Sequence, residues 1–386
     1  MSRTDTVRGR LALMVAHCAG MVDLVALPVW VGTLMSHYRL DPQQAGLLVT
    51  LFLAGAVLAS VVLAPRFHRL PGRQVAALGF GVAAAGFWGA STSESFGALA
   101  GCHALCGLSA GAALSVTHGT IARSANPHRL FALVGMALGV FAIAFLGATP
   151  PLVAQLGGPV LFLVFAGVMV VAALVAWWAF PVPDVLPALN GTAGGAVPAT
   201  VWFGIVGIAC MGLVQAMAFS FLERVGSERG FGLAAVTGVL VALGVVNLFP
   251  AALAALLERR WSARRVLLVG PALQALLVAT LMNAQAFGPY AVAGSLLAAV
   301  MIFTHTFAFG LLARLDLSGR AMAATPAMLM VGAAIGPILG GTLVKNLGYG
   351  SLGAAAWLMA IVAVGCFSRL PTRSSTAAAA GPAVLN

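Results

Sequence analysis

The sequence predicts an all-α integral membrane protein, with twelve transmembrane helices in two pseudo-symmetric six-helix bundles. Three observations predict it. Of 386 residues, 61% are hydrophobic and only 8% charged. A water-facing domain carries about 25% charged residues, so the solvent for this surface must be lipid. Apolar runs of about 20 residues, the length a helix needs to cross a bilayer, recur along the whole chain. Finally, the basic residues gather on one side of the alternation that those runs define.

The amino-terminal stretch MSRTDTVRGR is basic and leads into an apolar run too long for a signal peptide, so it reads as a retained first helix. The spans fall at 12–35, 44–64, 74–90, 96–122, 129–152, 159–180, 200–222, 232–257, 265–283, 288–313, 319–344 and 350–369. With the amino terminus inside, the outer loops hold only Arg39, Arg224, Arg229 and Lys345 of the 20 lysines and arginines. That bias predicts a multi-pass protein of a bacterial inner membrane with both termini cytoplasmic. The polar stretch between spans six and seven divides the chain. It gives an amino-terminal bundle (1–181), a central cytoplasmic loop (182–199), a carboxy-terminal bundle (200–370) and a disordered tail (371–386) low in aromatic and branched residues. The net charge of +11 is spread singly and in pairs between spans, which argues for topology and against a nucleic-acid partner. The five cysteines lie inside apolar segments and form no disulfide framework.

The two halves match at one gap-free offset of 191 residues. That shift lays Arg69 on Arg260, Arg73 on Arg264, Ala122–Arg123 on Ala313–Arg314, Arg129 on Arg320, and Leu156–Gly157 on Leu347–Gly348. Two parallel six-helix repeats are a transporter architecture with the binding site at their interface near the midplane.

Polar residues inside the spans locate the candidate site. Span one carries His17 and Asp23, span four His103 and His118, span seven Gln215 and Ser220 with Glu223 at its outer end, and span ten Thr304, His305 and Thr306. A charged carboxylate at the bilayer centre costs about 2.5–3.5 kcal/mol on insertion scales, so Asp23 is expected to be functional. The period of three is what repeated three-helix units produce when the first helix of each faces a cavity. Ala16, Ala19, Asp23 and Trp30 share one side of span one, which suits a cavity wall. An acid that alternates between dry and wet surroundings can load and release a proton, so Asp23, Glu223 and His17 are the expected proton-coupling residues. Trp30, His103, Gln215, Phe219, Thr304 and His305 are the expected substrate contacts. Asn247, Gln274 and Thr50 lie off the 1-4-7-10 pattern and are expected to hydrogen-bond locally.

At this point the chain resembles the major facilitator superfamily over nearly its whole length. The basic loops after spans two and eight look like that family's G-x-L-x-D-R-x-G-R-R motif. AALLERRWSARRV supplies Glu258, Arg259 and Arg264, while the first copy, VVLAPRFHRLPGRQV, keeps Arg66 and Arg73 but has Pro65 at the acidic position. The resemblance implies that these residues latch the halves together on the cytoplasmic side. GAAIGPILGG (332–341) fits a pattern that the family's antiporters carry in span five, here displaced to span eleven, where it also reads as close helix packing.

The expected function is proton-coupled secondary transport by alternating access, moving a neutral, cationic or amphipathic small organic solute. Export by proton antiport is favoured over import by symport. No Arg or Lys lies deep in a span, which disfavours a multiply anionic substrate. A copper transporter is the other alternative, from the Met14, His17, Cys18, Met21 stripe and the Cys102, His103, Cys106 group. No H-E-x-x-H, no G-x-S-x-G and no paired intramembrane carboxylates occur, so an enzyme is not expected. The expected partners are the solute, protons and the lipid bilayer, with the protein a monomer and no cofactor or resident metal.

Overall fold

The computed structural model describes residues 3–63, 66, 69–182, 199–315 and 320–371. Among these, every regular element is helical. After a 3-10 turn over Arg3–Asp5, the first half comprises α1 (Val7–Gly20), α2 (Val22–Ser36), α3 (Pro42–Leu63), α4 (Gly72–Ser91), α5 (Phe96–Ala122), α6 (Pro127–Leu156) and α7 (Pro159–Ala179). The second comprises α8 (Ala199–Glu228), α9 (Leu233–Val246), α10 (Pro250–Leu257), α11 (Ala263–Asn283), α12 (Phe287–Leu315), α13 (Arg320–Leu347) and α14 (Gly350–Ser368). They make twelve stretches long and apolar enough to cross a membrane, since α1–α2 and α9–α10 are each one broken span. Twelve crossings return the chain to the end where it begins, the terminal end. The connections 37–41, 92–95, 157–158, 229–232, 284–286 and 348–349 lie at the opposite, far end. The central loop and the tail fall outside the described residues except at their edges.

Caps set where several helices begin. The side chains of Ser95, Asn126 and Ser262 accept from the backbone N–H groups of Ala98, Arg129 and Arg265, replacing bonds that a helix start lacks. Asp41 and Gln44 cap α3 reciprocally, Gln44 N–H to Asp41 Oδ1 at 2.9 Å and Asp41 N–H to Gln44 Oε1 at 3.2 Å. Span eight breaks before Pro250, which has no N–H to continue the ladder. Span seven runs on to Glu228, longer than expected, so Glu223 lies within α8 rather than at its edge.

One matched pair of the 191-residue offset ends its two helices alike. Gly157 (φ 90°) and Gly348 (φ 77°) both end a helix in a conformation that a side chain would strain. The N–H groups of Gly157 and Gly348 bond to Val153 O and Val344 O, each at 2.9 Å, and those of Val160 and Ser351 bond back to the two glycine carbonyls. Small residues let helices within a half close tightly: a Cβ on Gly107 of α5 would lie 2.0 Å from Phe52 O of α3.

Candidate functional site

The first span breaks at Met21 (φ −108°, ψ 18°), whose N–H turns back to Ala19 O and His17 O. Asp23 therefore sits in the first turn of α2, not in mid-helix. It is 7% exposed, and its Oδ1 is buried with no hydrogen-bond partner. The backbone N–H groups of Asp23 and Leu24 approach the carboxyl, and no cation among the described residues pairs with it. A helix start favours negative charge, but an apolar bundle does not.

Below Asp23, toward the terminal end, His17 Nδ1 lies 3.0 Å from His118 Nε2 of α5. Above it, the structure brings Trp30 and His103 together, with ring centroids 5.4 Å apart. Both are fully buried in the core of the first half, against Phe52, Phe87, Phe162 and Phe165. This differs from the expected cavity wall. Apart from Asp23, α2 is apolar on nearly every side, so its rotation is set by aromatic packing that no stripe in the sequence announces. His103 Nδ1 bonds to Leu99 O at 2.7 Å, leaving His103 Nε2 and Trp30 Nε1 without partners.

In the second half, Gln215 Oε1 accepts from Gln274 Nε2 of α11 at 3.2 Å, and the same amide nitrogen lies 3.1 Å from Met211 O. Gln215 Nε2 is buried and unpartnered. The expectation that Gln274 bonds locally is thus corrected, because an amide that reaches a neighbouring helix satisfies two buried groups at once. Phe219 is buried on the same helix as Gln215. Thr304 is buried against Gly270 of α11, and His305 Nδ1 lies 3.0 Å from Met301 O in its own helix. Trp202 is 58% exposed, as an interfacial anchor would be.

Among the described residues, the halves meet mainly along three helix pairs. Between α2 and α8, Glu223 Oε2 lies where a Cβ on Gly32 would come within 1.9 Å, while Glu223 Oε1 accepts from Ser227 at 2.7 Å. Between α6 and α9, Gly244 faces Ile143, and Gly139 of α6 faces Leu248 in the break that follows α9. Between α3 and α13, Gly46 faces Pro337 O, Gly341 faces Pro42 O, and Ile338 N–H donates to Thr50 Oγ1 at 3.2 Å. Thr50 too was expected to bond locally and instead joins the halves. Lys345 Nζ pairs with Asp41 Oδ2 at 2.9 Å at the far end. Partial burial pushes the Asp41 carboxyl up, but the Lys345 hydrogen bond and charge and the Gln44 N–H outweigh it and hold the carboxyl below the usual carboxylate range.

The residues of the resembled latches behave differently. Arg66 Nη1 bonds to Val62 O at 2.6 Å and Arg73 Nε to Trp177 O, both within the first half. Glu258, Arg259 and Arg264 are exposed. Pro65 lies outside the described residues. The ion pair that joins the halves, Asp41–Lys345, is therefore at the end opposite these loops.

A recess of about 630 Å³ also opens at the far end of the first half, lined by His37, Tyr38, Arg39, Glu94 and neighbours. Burial, then the Glu94 charge, pushes the Tyr38 phenol up to about 12.

A family model described as the Major Facilitator Superfamily matches residues 12–318. No curated protein matches the sequence. Among solved structures, a bacterial homolog to the human lysosomal transporter Spinster, in an inward-facing and occupied conformation, aligns with TM-score 0.69 and 15% identity over 94% of this chain and 93% of that one. The nucleoside transporter NupG aligns with TM-score 0.71 and 13% identity over 94% of this chain and 99% of that one.

Proposed function

The chain belongs to the major facilitator superfamily, secondary transporters that work by alternating access, and we propose that this member couples solute movement to protons through Asp23. The observation that carries the reading is Asp23 itself, an acid buried at the joint of a broken span, one oxygen unpartnered and no counter-cation beside it. A lone carboxylate in an apolar bundle is costly, so the side chain holds a proton while dry and releases it when water arrives. Alternation supplies that change of surroundings. Among the described residues, contacts of α2 with α8 and of α3 with α13 close the halves together toward the far end. On the charge distribution of the loops, the terminal end is cytoplasmic.

The solute is a neutral, cationic or amphipathic organic molecule, exported in exchange for protons. Gln215, with a free amide N–H in the second half, is the proposed polar contact, and Phe219 and His305 are proposed beside it. Glu223 is the proposed outer gate, since it presses on Gly32 across the halves. The copper alternative gains little from this geometry. Cys106 Sγ bonds to Ala83 O and Cys102 lies beside Gly89, both toward α4, whereas His103 turns into the aromatic core.

The test is transport in proteoliposomes under an imposed pH gradient, with ethidium and uridine as probe solutes after a thermal-shift screen for ligands. Asp23→Asn is expected to abolish gradient-driven movement to the level of empty liposomes while retaining ligand-induced stabilisation. Full gradient-driven transport by Asp23→Asn refutes the assignment, and movement with the proton gradient rather than against it converts export to import.

A further inference from the structure

We propose that His17 and His118 form a proton relay in the first half, through which protons pass between the water at the terminal end and Asp23. The proposal deepens the proton-coupled reading above and rests on it. The two rings join α1 and α5 directly, with centroids 5.2 Å apart at an interplanar angle of 39°. The close approach has a local cause. Gly20 of α1 has no side chain to hold α5 away, and a Cβ there would lie 2.7 Å from Leu114 Cδ1. Phe131 of α6 covers one edge of His118 at 5.7 Å.

Bond counting makes the pair a conductor. Each neutral imidazole carries one N–H and one lone pair, and the 3.0 Å contact uses one of each. Of the two outward nitrogens, His17 Nε2 and His118 Nδ1, one is therefore protonated and the other bare. A proton arriving at the bare nitrogen forms a new N–H bond. The shared hydrogen crosses from one ring to the other, and the outward N–H of the second ring breaks. One proton enters and one leaves, with no change in the charge of the pair and no other reactant. His17 is 7% exposed and His118 is half-buried, so His118 is the outer ring of the pair. Asp23 lies six residues beyond His17, across the break at Met21, and water entering that joint would complete the path.

The surroundings leave this function to the pair. Of the elements packed on α1 and α5, α3 and α7 carry no titratable side chain. The 3-10 turn carries Asp5, paired with Arg10 of α1 at 3.1 Å. On α4, Arg73 is bonded to Trp177 O, and α6 begins with His128 and Arg129. The remaining groups of α1 and α5 are Arg8, Cys18, Cys102, His103, Cys106 and, at the α5 cap, Arg123. The acid of α2 is Asp23. A merely structural bond between two helices would be served by any donor and acceptor; two imidazoles add an exchangeable proton on one outer face and a bare nitrogen on the other.

The experiment needs no transported solute. Full-length protein in lipid nanodiscs, labelled with 15N-histidine, is expected to show a nitrogen–nitrogen correlation across the His17–His118 bond. The carboxyl stretch of Asp23, assigned by its loss in Asp23→Asn, is then followed in the infrared after a pH jump. His17→Gln and His118→Gln are expected to slow Asp23 protonation at least about tenfold, that is by about 1.4 kcal/mol of barrier, without moving its equilibrium midpoint. Added imidazole is expected to restore the rate in His118→Ala. An absent correlation, or an unchanged rate in both glutamine variants, overturns the relay. An Asp23 band that never changes with pH in the wild type overturns the parent reading, and the relay with it.

Discussion

Four of the buried residues singled out above are defined by what they lack. Asp23 has a bare oxygen, Gln215 a bare amide N–H, and Trp30 and His103 a donor and a nitrogen that face no partner. Removing Gln274 adds to that debt, because Gln215 Oε1 and Met211 O would lose their donor together. Gln274→Ala is expected to destabilise the second half by about 1–3 kcal/mol, read as a lower unfolding temperature, whereas Gln274→Glu at acidic pH, with one O–H, keeps one of the two bonds. At Gly32 the constraint is steric. Alanine there would collide with the Glu223 carboxyl, so Gly32→Ala is expected to expose the far end, raising the labelling of a cysteine placed at the buried Val29. Adding Glu223→Ala is expected to reverse that rise, and labelling that stays high in the double variant would show the clash is not with Glu223. Single residues were only partly legible beforehand. Asp23 stands out in any hydropathy scan, but the His17–His118 contact joins positions 101 residues apart, and nothing local to either marks the other.

At the scale of elements, GAAIGPILGG explains how α13 joins the halves. Gly332, Gly336 and Gly340 recur every four residues on one side and press against α8, at Ala209 O, Met217 N and the Met217 side chain. Pro337 O and Gly341 occupy the adjacent side and meet Gly46 and Pro42 of α3. One stripe belongs to the folding of the second half and the other to the closing of two halves. Gly336→Val is accordingly expected to lower expression and thermal stability. Gly341→Val is expected to leave stability nearly unchanged and shift the protein toward opening at the far end, measured by distances between spin labels on α3 and α13. Equal stability losses in both would contradict the division. Small residues and a proline are readable as packing in a sequence, but the side that faces each neighbour is not, because helices apolar all round carry no stripe to fix their rotation. Element counts were legible for the opposite reason: span length and basic loops are local properties, imposed by bilayer thickness and charge.

For the molecule as a whole, the balance between states rests on small terms at the far end. Asp41 and Lys345 are partly exposed, and such pairs contribute about 0.2–1 kcal/mol, so Asp41→Asn is expected to move the equilibrium between states by about 1.4- to 5-fold. The sign of the pH effect follows from the carboxyl being held low. The pair's contribution is complete above the ordinary aspartate range and is lost only as pH falls through the lowered value. Any change in state populations near neutral pH must therefore come from other groups, and Asp41→Asn is expected to leave its midpoint in place when spin-label distances are followed against pH. The break at Met21 bears on which groups those are. His17 hangs from one short rod and Asp23 from the next, so the azimuth between them is set by a joint rather than by helical pitch. In the proposed relay, a flexing joint would change how far a proton must hop, a mechanical grip on the timing of proton transfer that one unbroken rod could not provide.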